Sequence, residues 1–148
     1  MPPSALPKRM PNSFVLDPRL NADTLPVIEL PLSSVRLMRD ATYPWLVLVP
    51  RLEDVSEIID LAELDRRWLM EEIAKVSAAL KDITGCDKLN VAALGNQVAQ
   101  LHVHIIARFR GDAAWPAPVW GKVPPTPYHP KAEAEMLARL KARLGGLG

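Results

Sequence analysis

The distribution of proline constrains this chain more than any other feature. Nine of its 15 prolines fall at or before Pro50, six fall between Pro116 and Pro130, and none lies from Arg51 to Trp115. Proline has a fixed φ and no amide hydrogen, so helix interiors and central strands exclude it. The proline-free middle is therefore the place for the main helix and the central strands. The proline-rich flanks suit edge strands, turns and irregular cover.

Local patterns fill in that division. Residues 1–12 read as a polar, irregular lead-in and residues 13–16 as a short strand. Residues 26–30 and 34–38 read as strands separated by a break at Pro31. Trp45-Leu46-Val47-Leu48-Val49 is a continuous apolar run between Pro44 and Pro50, which predicts a strand buried on both faces. Asp54-Val55-Ser56-Glu57 and Asp60-Leu61-Ala62-Glu63 both have capping-box form, an acceptor followed three residues later by Glu. The first predicts the start of a short helix, the second that of a long one ending near Ile83. Leu69, Ile73, Val76, Leu80 and Ile83 recur at helical spacing and form one apolar stripe. Gly85 suits the C-cap. Residues 89–93 and 99–109 read as consecutive strands around a turn at 94–97, an antiparallel hairpin. Residues 111–129 are rich in proline and tryptophan and read as irregular. Residues 131–144 read as a terminal helix, with Glu133 near its start and Arg143 near its end, in keeping with the macrodipole.

Bulk properties exclude several classes. A chain of 148 residues fits one domain with a real core. A formal net charge of +1 argues against duplex nucleic acid or an anionic membrane surface as partner. Cys86 is the single cysteine, which rules out an intrachain disulfide or a thiolate metal site and points to a reducing compartment. The first residues contain no apolar core of a secretory signal, and the longest apolar stretch is too short to span a bilayer. These features predict a cytoplasmic, soluble protein.

Chemistry concentrates in Gln100-Leu101-His102-Val103-His104. Side chains alternate along a strand. The odd positions Leu101, Val103, Ile105, Ala107 and Phe109 are all apolar and face the core. The even positions Gln100, His102, His104, Ile106 and Arg108 form a largely polar face. Two of the three histidines thus stand roughly 7 Å apart at Cα. Uncharged Thr or Val would pack as well there, so the pair suggests use. Imidazole suits attack on phosphorus, being substantially neutral near pH 7 and able to form a covalent adduct. For Nε2 to attack, Nδ1 must carry the proton and give it to an acceptor, often a backbone carbonyl. The upstream turn Gly95-Asn96-Gln97 offers N–H groups and amides for phosphate oxygens. Spacing alone leaves other readings level with this one. Two histidines at i,i+2 also suit zinc, with His129 or a carboxylate as third ligand, and an isolated His-x-His is often only a satisfied pair.

Residues 90–108, from Asn90 through Gly95-Asn96-Gln97 and Gln100-Leu101-His102-Val103-His104 to Arg108, resemble the signature of the histidine triad (HIT) superfamily. The likeness covers roughly residues 13–110, with residues 111–148 packed on the same domain. It implies an α+β fold: an antiparallel sheet of about five strands with a long helix and a C-terminal helix. It implies a homodimer that hydrolyses or transfers nucleotidyl groups on a small nucleotide-like substrate, without a cofactor or required metal, in the manner of the diadenosine tetraphosphate hydrolase-like branch. By that likeness His102 is the nucleophile, His104 contacts the scissile phosphate, and Asn90, Gly95, Asn96, Gln97 and Arg108 bind substrate. Gln100 stands where the first histidine is expected and takes an orienting role, since its amide forms hydrogen bonds but does not titrate. Arg36 and Met38 stand where many relatives carry an acidic ribose contact. Rival readings are a zinc hydrolase built on His102 and His104, and a nucleotide-binding protein that has lost catalysis. Trp115 and Trp120 serve either to stack on a base or to cover the core.

Overall fold

The computed structural model describes Pro3 and residues 14–145. The lead-in therefore lies almost wholly outside the described residues, as does Ser13. Five strands form one antiparallel sheet: β1 (Thr24–Glu29), β2 (Ser33–Met38), β3 (Trp45–Pro50), β4 (Lys88–Ala92) and β5 (Val103–Arg108), in the order β1-β2-β3-β5-β4. Three helices accompany it: α1 (Pro18–Asp23), α2 (Glu63–Thr84) and α3 (Pro130–Gly145). This is the α+β architecture that the sequence predicts.

The apolar run at Trp45 to Val49 lands in the middle of the sheet, and every residue of β3 is buried. Its even positions, Leu46 and Leu48, pair with Ile105 and Val103 of β5 and join Leu69, Val76 and Leu80 of α2 and Leu140 and Leu144 of α3 in the main core. Its odd positions, Trp45, Val47 and Val49, point to the opposite face. There Ile106, Tyr43, Leu20 of α1, Ala114 and Val119 complete a second core. Proline behaves as expected. Pro26 sits in the edge strand β1, where the pairing register slips between Pro26 and Ile28.

Several boundaries differ from the sequence-based expectation. Residues 14–17 form no strand; they lead into α1, with Pro18 at its first turn and Asp17 as N-cap, Oδ1 accepting from the Arg19 N–H at 2.8 Å. Neither expected capping box forms. Asp60 closes a single 3-10 turn, Ile58–Asp60, and its carboxylate accepts from the Ser56 and Glu57 amides at 3.1 and 2.9 Å. With Asp60 so engaged, α2 starts behind Ala62 without a side-chain cap. Its other end matches expectation: Gly85 is left-handed at φ 64 and its N–H returns to the Lys81 carbonyl. Glu72 ties the middle of α2 to the β1–β2 turn, accepting from the Leu32 N–H at 2.8 Å.

The expected hairpin is looser than a tight turn. β4 and β5 pair directly, but residues 93–102 link them, and β5 begins at Val103 rather than at residue 99. Leu101 instead donates its N–H to the Val55 carbonyl at 2.9 Å. His102 therefore stands just before the strand and His104 within it.

Candidate active site

The two histidines are brought together at the mouth of β5. Their ring centroids lie 4.9 Å apart with the planes at 74°. Both side chains are buried, so the even positions are not the open polar face that alternation by itself suggests. The second core and the cover above it enclose them.

Each ring has its tautomer set by a neighbour. Nδ1 of His102 lies 2.7 Å from the carbonyl oxygen of Gln100. A carbonyl only accepts, so this nitrogen carries the hydrogen, and in the neutral ring Nε2 then keeps its lone pair. That is the arrangement a nucleophilic imidazole requires. His104 is arranged the other way. The Trp45 indole Nε1–H donates to its Nδ1 at 2.9 Å, so Nδ1 is unprotonated and the neutral ring carries its hydrogen on Nε2. Burial, with His102 beside it, pushes the His104 imidazole down to about 4, against an opposing pull from the Leu94 carbonyl. His104 is thus a neutral group at physiological pH.

Two clefts meet at His102. One, of about 330 Å³, is lined by Leu20, Met38, Trp45, Trp120 and both histidines, with Asp23 on its wall. Trp120 stands edge-on to His104 at 5.1 Å and to Trp45 at 5.8 Å. The other, of about 250 Å³, is more polar and runs past Ser56, Glu57, Gly95 and Gln100. Leu94, Asn96 and His102 border both, while Gln97 borders the aromatic one. The 93–98 loop bends closely here: a Cβ on Gly95 would stand 3.2 Å from the Val98 carbonyl oxygen.

Of the residues singled out from sequence, the structure gathers Gly95, Asn96, Gln97, Gln100, His102 and His104. Asn90 and Arg108 line neither cleft. Arg108 is 2% exposed. Its guanidinium donates to Asp112 at 2.8 and 3.0 Å, to Asn90 Oδ1 at 2.8 Å and to the Ala117 carbonyl at 2.8 Å. Trp115 faces the same guanidinium, 5.7 Å from its ring centre. These residues pin the 109–117 segment to the sheet. Asp112 also accepts from the Phe109, Ala114 and Trp115 amides. The Arg108 hydrogen bonds hold its carboxyl down to about 2, desolvation opposing.

Sequence reasoning missed Trp45, Asp23 and Leu20 as site residues. Trp45 carried a signal, since it stands two places from Val47, the partner of His104 across β3 and β5. The α1 residues carried only the Asp17-Pro18 helix start. His129 lies elsewhere, Nδ1 accepting from the Lys131 N–H at 3.2 Å at the head of α3. Among the described residues no group of three His, Cys, Asp or Glu side chains is placed to hold a metal ion. Nor is any described helix long and apolar enough to cross a membrane.

Comparison with known proteins identifies the domain. Residues 19–111 match the HIT domain. A histidine triad protein from Bradyrhizobium japonicum is 54% identical, covering 88% of this chain and 97% of its own, with a TM-score of 0.87. A histidine triad protein from Marinobacter aquaeolei is 46% identical over 91% of this chain and 98% of its own, TM-score 0.88. One from Sinorhizobium meliloti is 44% identical over 88% and 97%, TM-score 0.86. A search of curated proteins found no match. With the domain match spanning more than half of the sequence and including the histidine segment, the chain belongs to the histidine triad family.

Proposed function

We propose that this protein is a nucleotidyl hydrolase or transferase that works through a nucleotidyl-His102 intermediate. Membership of the histidine triad family supports nucleotide binding or nucleotidyl transfer as the general activity. The observation that carries the mechanism is the 2.7 Å contact from His102 Nδ1 to the Gln100 carbonyl, which in the neutral ring puts the lone pair on Nε2. In this reading Nε2 attacks phosphorus, the bond to the leaving group breaks, and the leaving group takes a proton from solvent. Water then attacks the same phosphorus and releases the nucleotide and free His102. His104 contributes a neutral N–H donor beside the phosphate, and the Gly95–Gln97 loop contributes amides to its oxygens. The aromatic cleft takes the base, with Trp120 and Trp45 as its walls.

The charges at the clefts favour one substrate class. Among the described residues no Lys or Arg lines either cleft, and Asp23 and Glu57 bring carboxylates. A dinucleoside polyphosphate, the substrate of the diadenosine tetraphosphate hydrolase-like branch, carries several negative charges that no described residue of the clefts offsets. A nucleoside phosphoramidate carries fewer. Both belong to the proposed class, and the charges rank the phosphoramidate first.

The reading includes a homodimer, and a zinc hydrolase is its rival. Nδ1 of His104 already accepts from the Trp45 indole, which removes one of its two nitrogens as a zinc ligand. Incubation with an adenosine phosphoramidate and with diadenosine tetraphosphate, followed by an alkaline denaturing quench and mass spectrometry, tests the whole. An AMP adduct on His102, lost in His102→Ala with at least about a thousandfold fall in rate, is the expected result. Turnover that survives His102→Ala, or that depends on stoichiometric zinc, sinks the mechanism.

A further inference from the structure

One wall of the aromatic cleft comes from α1, far from the histidines in sequence, and that helix is held at both ends. At its C-terminal end Arg36 donates Nε to Thr24 Oγ1 at 2.6 Å and Nη2 to Asn21 Oδ1 at 3.3 Å. At its N-terminal end the holding group is Gln100. Its Nε2 donates to the Val15 carbonyl at 2.9 Å, and its Oε1 accepts from the Asp17 N–H at 2.9 Å. Asp17 then caps α1. The residues delivered to the cleft by this arm are Leu20, which is buried in the second core, and Asp23.

Gln100 therefore has two separate attachments. Its backbone carbonyl holds the His102 ring, a task any residue's carbonyl performs. Its side chain reaches to backbone 83 and 85 residues earlier. A carboxamide suits that task because it carries a donor and an acceptor side by side, matching the C=O and N–H two residues apart on the extended arm. A neutral imidazole has one donor and one acceptor on separated ring positions, so a histidine here does not reproduce the pair. Both polar groups of the Gln100 amide already have protein partners, which leaves the amide engaged with the arm rather than with the phosphate.

We propose that Gln100 is a positioning residue whose carboxamide docks the 14–23 arm against the histidine segment and so builds the nucleoside wall of the cleft. This rests on the nucleotidyl reading given above. It turns the departure from a third histidine into a specificity device, acting through α1 on substrate binding.

Two substitutions test it. Gln100→Met keeps the volume and removes both bonds, while Gln100→Glu keeps the acceptor and removes the donor. In Gln100→Met the Asp17 amide should exchange about tenfold faster with solvent, and in both variants AMP should bind about tenfold more weakly. With an adenosine phosphoramidate KM should rise about tenfold while kcat stays within about threefold. The nitrogen-15 shifts of His102 should keep the Nδ1–H tautomer, and exchange in α2 should stay slow. Unchanged Asp17 exchange in Gln100→Met overturns the docking role. Faster exchange with unchanged AMP affinity overturns the nucleoside wall, and a loss confined to kcat shows that Gln100 acts on the chemistry. Wild-type protein that neither binds AMP nor forms an adduct sinks the nucleotidyl reading and the wall with it. Asp17 exchange then still decides the docking by itself.

Discussion

The indole of Trp45 donates to Nδ1 of His104 at 2.9 Å, across 59 positions of sequence. Imidazolium has no acceptor nitrogen, so this bond exists only while Nδ1 of His104 is unprotonated. Trp45→Phe keeps an aromatic ring and removes the donor. The His104 pKa should then rise from about 4 by about one unit or more. A nitrogen-15 NMR titration reads the change directly. An unchanged midpoint would mean that burial and the neighbouring His102 set it without the indole.

The same histidine makes stability depend on pH. Its folded value of about 4 lies below the ordinary 6.5. Between those values the unfolded chain takes up a proton that the folded chain declines, so stability falls as pH is lowered through that window. The loss should reach about 3 kcal/mol at its lower end. Asp112 acts in a different window: its stabilisation is present above 3.8 and is lost as pH falls towards about 2. Urea unfolding at stepped pH should show the first slope in the wild type and a flatter one in His104→Gln. Equal slopes in the two proteins would remove His104 as the cause.

Arg108 and Asp112 form a buried pair, with side chains 2% and 7% exposed. Removing the carboxylate strands a buried guanidinium, so Asp112→Ala should cost about 3–5 kcal/mol. Asp112→Asn should cost less, because its carbonyl oxygen still accepts. The comparison is made by denaturant midpoints. A cost for Asp112→Ala below about 1 kcal/mol would show that water replaces the carboxylate.

β4 ends the sheet, and Val91 on it is 48% exposed. Its outer N–H and C=O groups are a template for a second copy of the chain. Light scattering on the purified protein should give a dimer, and Val91→Lys should shift it towards monomer. A wild-type monomer at micromolar concentration would refute the homodimer.

The elements that repeat a simple period were readable from the chain. The apolar run at Trp45 to Val49 is the central β3, and the stripe from Leu69 to Leu80 is the core face of α2. Gly85 caps that helix as its position implied. Signals of single acceptors were less informative. Asp54 and Asp60 both looked like helix starts, yet Asp60 found closer amides at Ser56 and Glu57. A local motif states which bonds are available; competition among neighbours decides which of them form. The α1 helix has only six residues, too short for any apolar period to appear.

The site divides along the same line. Alternation from Leu101 to Arg108 placed His102 and His104 on one side of the chain, a local relationship that sequence by itself determined. The acceptor that the His102 ring needs proved to be a carbonyl only two residues away, a contact that the structure supplies. The neutral state of His104, the closed aromatic cleft and the second task of Gln100 depend on Trp45, Trp120 and residues 15–17. Only the tertiary structure decided these. Hydrogen bonds and ring contacts reach a few ångströms in space, without regard to distance along the chain, so their partners emerge only when β3 pairs with β5 and the arm folds across them.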